Sequence, residues 1–267
     1  MGYKYNFNTG RRNRIIGPSQ LVSSANIFTP TADKKYTLGL ELDLNDATGR
    51  MFRYCRNGAV ALSKALMNTS AALDAEAITS TNQAAAPYLH AVGATKFDVL
   101  LTTGNGWSNG DLIDGWMLIS DGTTAIGDMY MIKSNKWSTS DTIMNIVLCD
   151  EDGIRTALVA ADDVILFQNK CANTVVGATN PVSGMVGVSL VDVPISYYYW
   201  AQFRGYCPMI VDSADPAVTV VGDSVTIPGA VAGTYKVHAA GAADVIIGTC
   251  IHKAAISEAG IVDLMIP

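Results

Sequence analysis

The sequence predicts a mainly β protein built from antiparallel sheets in a sandwich-like or barrel-like arrangement. Short stretches of alternating polarity recur along the chain and are separated by turns rich in Gly, Asn and Asp. Such spacing is typical of sandwiches and barrels. Of the 267 residues, 49% are hydrophobic and only 16% are charged. So low a charged fraction predicts either a large core under a neutral surface or a surface that partner subunits cover, and we favour the second. We also expect an extended N-terminal arm and at most one short helix.

The clearest hairpin lies between residues 36 and 55. Every second residue at its start is a leucine: Leu38, Leu40, Leu42 and Leu44. This alternation predicts a strand that turns one side toward a core. Asn45–Gly49 has the composition of a tight turn, and Met51–Cys55 returns as the partner strand. The segment therefore predicts two antiparallel strands joined by a short turn.

A second group of strands follows after residue 92. Strands are expected over Thr95–Thr102, Trp116–Ile119, Asp128–Lys133, Ile143–Leu148, Thr156–Val159 and Val164–Phe167. Two turns between them contain adjacent Asp and Gly, at Ser120–Thr123 and at Asp150–Gly153. Because Asp-Gly pairs favour tight turns, each is expected to close a hairpin.

The strand over Tyr197–Gly205 is aromatic on both sides. Its sequence, YYYWAQFRG, places tyrosine or tryptophan at the start of each of its two faces. A strand that is apolar on both faces is expected to be covered on both sides.

The chain divides into three predicted regions. Residues 1–35 are polar and aperiodic, which predicts either an extended arm that orders against a neighbour or a disordered tail. Residues 36–170 form a β domain. Within it, residues 59–86 are a helix or a loop, because good helix formers are mixed with Thr and Ser. Residues 171–267 form a second β region or continue the same domain.

Charge and composition restrict the partners. The net charge is −6 and the isoelectric point is about 4.9, which argues against nucleic acid, because phosphate contacts need clustered Lys and Arg. No apolar run reaches the ~20 residues needed to cross a bilayer. The start of the chain does not resemble a secretory signal. The five cysteines are scattered, so reduced, buried thiols are expected rather than a disulfide framework.

The chain contains none of the common catalytic or metal-binding motifs. The three histidines have neither HExxH nor Cys/His spacing, and neither GxSxG nor a phosphate-binding glycine loop occurs. We therefore predict no catalytic, cofactor-binding or metal-binding residues and no enzymatic activity. An enzyme that degrades polysaccharides with spatially paired carboxylates is the weakest of the competing hypotheses, since such pairs leave no sequence spacing to detect.

Eight residues are instead candidates for contact with partner chains. They are Arg11, Arg12, Arg14, Trp107, Trp137, Tyr198, Trp200 and Arg204. The first three arginines lie in the N-terminal arm. Trp107 and Trp137 lie in polar, turn-rich segments, where their side chains are expected to be exposed. The other three belong to the aromatic strand, whose Tyr, Trp and Arg content is typical of interface hot spots. The alternative is that this strand is simply part of the core.

Several segments resemble virion structural proteins of tailed bacteriophages. They are Gly49–Tyr54, Asn57–Ala59, Val92–Thr95, Asp114–Met117, Gly127–Ile132, Gly187–Val188, Tyr197–Gly205 and Val262–Ile266. The most distinctive is Gly187–Val188 followed by Tyr197–Gly205, which is similar to a "GV…YYFWLQTRG" pattern in such proteins. The resemblance covers roughly residues 36–267.

The resemblance implies a capsid decoration or cement protein on the outer surface of the phage head. Its expected partners are the major capsid protein and copies of itself, in a homo-oligomer such as a trimer. The chain is expected on the capsid surface of the virion, after synthesis in the host cytoplasm. The alternative is a head-fibre or tail protein that binds a host receptor or glycan, because tryptophan side chains stack on sugars.

Overall fold

A computed structural model describes most of the chain. The described residues are 27–44, 46–71, 78–80, 90–100, 107–121, 125–137, 143–158, 162–178, 184–213, 221–227, 231–239 and 244–267. In this part of the chain nearly all regular structure is β, and every strand pairing is antiparallel. The predicted fold class is therefore confirmed. The predicted N-terminal arm lies outside the described residues, apart from 27–35.

The described residues form sixteen strands. They are β1 (Glu41–Asp43), β2 (Met51–Arg56), β3 (Met67–Ser70), β4 (Ile78–Ser80), β5 (Lys96–Leu100), β6 (Trp116–Asp121), β7 (Met129–Trp137), β8 (Ile143–Leu148), β9 (Asp163–Phe167), β10 (Thr174–Val176), β11 (Met185–Ser189), β12 (Tyr198–Ile210), β13 (Ser224–Thr226), β14 (Lys236–Val237), β15 (Ile246–His252) and β16 (Ala259–Met265). The chain separates into two compact units, with junctions after residues 72 and 169.

The first unit contains β4 to β9 in one six-stranded sheet, in the order β4-β9-β6-β7-β8-β5. Strand β8 alternates between buried and half-buried residues, and its buried side chains, including Met144 and Ile146, join the unit's apolar core. The hairpin predicted around Ser120–Thr123 is confirmed by the pairing of β6 with β7. Strand β7 continues to Trp137 and pairs along its second half with β8.

The second unit contains the other ten strands in one sheet. Its longest strand, β12, pairs along its first half with β2 on one edge, whereas β11 and β16 lie end to end on the other edge. The sheet is curled. Strands β10 and β12 are separated by β3 and β11 in the strand order, yet the hydroxyl oxygens of Thr174 on β10 and Tyr199 on β12 lie only 2.9 Å apart. Strands β2 and β3 therefore belong with the C-terminal part of the chain, whereas the sequence had grouped residues 36–170 as one domain.

One prediction about local structure is wrong, and another holds only in part. In the described part of 59–86 the chain forms loop and strand instead of helix: Ala65 has φ 62°, outside the right-handed helical region, and β3 pairs with β10 and β11. Residues 156–158 do not form a hairpin with β8. The turn before them instead docks onto another loop, where Gly93 N–H donates to Ile154 O at 2.9 Å. Long-range backbone pairing outweighs local propensity in both segments.

The hairpin predicted at residues 36–55 is confirmed. Strands β1 and β2 pair with Leu42 opposite Phe52, and Leu38, Leu40 and Leu42 are all buried. Asp46 organises the turn between them. Its carboxylate accepts hydrogen bonds from Thr48 N–H at 3.0 Å and from Arg50 Nε at 2.6 Å. Burial raises the pKa of Asp46, but the hydrogen bonds from Thr48 and Arg50 outweigh it and lower the pKa to about 2.

This turn predicts a pH dependence of stability. Because the folded state lowers the pKa of Asp46 from 3.8 to about 2, its stabilisation is complete above pH ~4 and is lost as the pH falls toward 2. Solvent screening at this partly exposed site keeps the effect at about 1 kcal/mol or less. We expect Asp46→Asn to lower the urea midpoint at pH 7 and to flatten its fall between pH 4 and 2. Exposed Asp33→Asn is the control, and identical pH profiles for wild type and Asp46→Asn would contradict the assignment.

Candidate functional site

The candidate interface residues differ in their location and in whether the structure describes them. Arg11, Arg12 and Arg14 lie outside the described residues, so their proposed contact with a neighbour stays a prediction. The others fall into two places: Trp107 and Trp137 in the first unit, and Tyr198, Trp200 and Arg204 on β12 of the second.

Trp107 and Trp137 are not the exposed loop residues that the sequence predicted. Trp107 is only 8% exposed and belongs to the core of the first unit, and Trp137 ends β7 and packs against that core. The indole N–H of Trp137 donates to the carbonyl oxygen of Trp107 at 2.7 Å. Asn135 holds the loop in place, accepting from Leu112 N–H at 2.9 Å and donating to Ser108 O at 3.2 Å. These hydrogen bonds hold Trp107 and Ser108 against β7.

Tyr198 and Trp200 belong to a cluster of four aromatic rings. Trp200 is 3% exposed, and its ring centre lies 5.1 Å from that of Tyr54 and 5.5 Å from that of Tyr36. Tyr198 is half-buried and stacks on Tyr54 with ring centres 5.8 Å apart. Residues 199–203 are all buried, so the prediction that this strand is covered on both faces is confirmed. Packing within the chain is enough to explain the burial of Trp200, so no partner chain is needed for it.

Arg204 marks the point where β12 changes character. Up to Phe203 both faces are buried, and from Arg204 onward exposed and buried residues alternate. The pairing with β2 is irregular between Gln202 and Arg204. The buried side-chain amide of Gln202 donates to the carbonyl oxygens of Arg204 and Tyr206, at 3.0 and 2.9 Å. From Arg204 onward, one face of β12 is therefore exposed and no longer packs in the core.

This exposed face of β12 forms a patch together with the neighbouring strand β16. Arg204 pairs with Met265, Tyr206 with Asp263, and Pro208 with Ile261. Side chains of paired residues lie on the same face of a sheet. We call these six residues the β12–β16 patch. Within it Tyr206 is 44% exposed, Ile261 38% and Met265 60%.

The β12–β16 patch suits protein contact better than chemistry. Tyr, Met and Arg are enriched at interfaces, and an exposed apolar group with one cation and one anion fits their usual composition. Within the described residues, no three His, Cys, Asp or Glu side chains lie together so as to hold a metal ion. In the same residues no helix is long and apolar enough to cross a membrane.

Of the residues in this patch, the sequence alone indicates only Arg204. The alternation of Arg204, Tyr206 and Pro208 was readable in the sequence, but the predicted strand ended at Gly205. That glycine has φ 78°, yet β12 continues through it to Ile210. The other half of the patch comes from β16, whose pairing with β12 no local pattern reveals.

A buried charged group lies beside the aromatic strand. Arg53 on β2 is almost fully buried, its guanidinium carbon lying 4.3 Å from the ring centre of Phe203. It forms an ion pair with Glu41 at 3.2 Å and donates to the carbonyl oxygen of Pro267 at 3.4 Å. Arg53 therefore ties β1, β12 and the end of β16 together, which is a structural role.

The fold and the patch describe a two-unit antiparallel β protein with an exposed apolar face. Comparison with known protein families, with curated proteins and with solved structures finds no match to the chain.

Proposed function

We propose that the chain is a structural component of a tailed-phage virion, most specifically a decoration protein that binds the outer surface of the head and stabilises the shell. The observation that carries this proposal is the β12–β16 patch. It begins in the strand whose YYYWAQFRG sequence resembles phage virion proteins, and it exposes Tyr206, Ile261 and Met265. The patch offers apolar contacts to the major capsid protein or to another copy of this chain.

Repetition on a lattice would make modest contacts sufficient. A shell presents the same surface many times, and linked copies bind far more tightly than one isolated contact. The low charged fraction of 16% agrees with extensive contact between subunits, because charged residues are depleted in interface cores.

The head-fibre or tail-protein alternative is less well supported, because Trp137 is half-buried and Trp107 is buried. It depended on exposed tryptophan faces for a glycan, whereas Trp107 is buried and the indole N–H of Trp137 is bonded to the Trp107 carbonyl.

Mass spectrometry of purified virions tests the proposal. We expect the chain in tens to hundreds of copies per particle, located on the head by electron microscopy. Its absence from particles, or its location at the tail tip, would contradict the decoration role.

Patch variants test which surface binds. Because removing two central contacts costs at least about 1.4 kcal/mol, we expect Tyr206→Ser/Met265→Ser to lower the affinity for particles lacking the protein by about tenfold or more. The matched control is Val92→Ser/Ile126→Ser, which removes two apolar side chains that are at least as exposed, both from the first unit. Equal occupancy of both double variants, measured by quantitative mass spectrometry, would rule out the patch as the docking surface.

A further inference from the structure

Two cysteines distant in sequence meet in the core of the second unit. Cys55 on β2 and Cys171 just before β10 are both fully buried in one apolar cluster, and their thiols are in hydrogen-bonding contact. The backbones are paired at this point, since Arg56 N–H donates to Cys171 O at 2.8 Å. Cys55 directly precedes Arg56, so Cys55 and Cys171 are neighbours across this contact. A disulfide requires such proximity, because it joins residues whose Cα atoms lie about 4.4–6.8 Å apart.

The surroundings activate one of the two thiols. The hydrogen bond from Cys55 lowers the pKa of Cys171, and although burial opposes this, the positive charges of Arg53 and Lys170 lower it further. Burial raises the pKa of Cys55, and its thiol also donates to the carbonyl oxygen of Arg53 at 3.3 Å. By contrast, burial raises the pKa of Cys207, which is equally buried. A lowered pKa increases the share of the reactive thiolate form, whereas a thiol with a raised pKa is inert.

We propose that Cys55 and Cys171 form an oxidisable thiol pair, which a peroxide converts to an intrachain disulfide. Cys171 loses its proton to solvent, and its thiolate attacks one peroxide oxygen and breaks the O–O bond. Cys171 becomes a sulfenic acid, and the displaced hydroxide takes up a proton from solvent and leaves as the first water. The sulfur of Cys55 then attacks the Cys171 sulfur, forms the S–S bond, and releases its own proton and the hydroxide as the second water. Two thiols are oxidised and one hydrogen peroxide is reduced to two waters.

The bond would tie together two distant parts of the chain. It joins β2 to the segment that begins at Lys170, and it encloses residues 56–170, which include every strand of the six-stranded sheet. Crosslinking so long a loop restricts the unfolded chain strongly. Because both sulfurs are buried, the peroxide reaches them through local opening of the structure. The proposal concerns the isolated chain and does not depend on the proposed function.

Peroxide titration of the purified full-length protein, followed by denaturing alkylation and peptide mass spectrometry, tests the pair. We expect one linked peptide that joins Cys55 to Cys171 and a loss of two hydrogens from the intact mass. The protein should still migrate as a monomer, because the disulfide forms within one chain. We also expect the melting temperature to rise by roughly 5–10 °C and to fall back when dithiothreitol is added. Exposed Met265 reports the peroxide dose, because its sulfoxide forms independently.

Single-cysteine variants separate the pair from the other thiols. Cys55→Ala and Cys171→Ala should each abolish the linked peptide and the rise in melting temperature, whereas Cys207→Ala should leave both unchanged. If a variant fails to fold, the wild-type peptide map decides alone. Full alkylation of Cys55 and Cys171 at a dose that oxidises Met265, or linkage of either cysteine to a different partner, would overturn the proposal.

Discussion

Gly205→Ala is expected to destabilise the protein by about 2–5 kcal/mol. Gly205 has φ 78°, and a Cβ atom built on it would lie 2.5 Å from the carbonyl oxygen of Thr48 and 2.8 Å from that of Gly49. The left-handed conformation costs a residue with a side chain about 1–2 kcal/mol. Displacing the rigid turn backbone adds about 1–3 kcal/mol. The turn cannot move away without loss, because Asp46 holds it to Arg50.

Gly49→Ala is the matched control for this prediction. Gly49 also has a positive φ, of 63°, but a Cβ atom there would meet nothing within 4 Å. We therefore expect it to cost only about 1–2 kcal/mol, the backbone part of the effect. Urea unfolding of both variants measures the difference between them. If the two variants were equally stable, the close approach of β12 to the turn would not contribute.

Local patterns in the sequence were enough to predict the elements whose partners are near in the chain. The leucine alternation at Leu38–Leu42 gave the β1–β2 hairpin, and the Asp-Gly turn at residues 121–122 gave β6 and β7. In both, the signal and the partner strand lie within about one hairpin of each other, so the period of two and the turn chemistry suffice.

Elements with distant partners were not predictable in this way. Strand β3 reads as helix or loop because its Met, Asn, Thr and Ser residues carry no strand period, and its place is decided by pairing with β10 and β11. The burial of Trp107 depends on Asn135 and Trp137, about thirty residues further along. No local window contains both sides of such a contact.

The same limit applied to the candidate sites. The sequence located the aromatic strand, but Trp200 and Arg204 read alike as interface residues, although one faces the core and the other solvent. The irregular pairing after Gln202 makes the difference, and it depends on β2. The thiol pair was equally hidden, because Cys55 and Cys171 meet only once residues 170–178 return to pack beside β2.

Trp200→Ala is expected to destabilise the second unit by about 3–5 kcal/mol, the usual cost of deleting a large buried side chain. Its ring is 3% exposed and contacts those of Tyr54 and Tyr36. Trp200→Phe keeps most of the packing and should recover more than half of the loss. Urea unfolding monitored by circular dichroism measures both variants.

Arg204→Ala completes the comparison from the other face of the same strand. Arg204 is exposed and lies opposite Met265, so its removal should change the free energy of unfolding by less than about 0.5 kcal/mol. If the β12–β16 patch binds a capsid surface, the same change should weaken binding to particles several-fold, because Arg is a frequent hot-spot residue. Trp200→Phe, which stays folded and leaves the patch intact, should bind as the wild type does. The reverse pattern, with binding lost in Trp200→Phe and kept in Arg204→Ala, would place the interface on the aromatic half of β12 and contradict the assignment of Trp200 to the core.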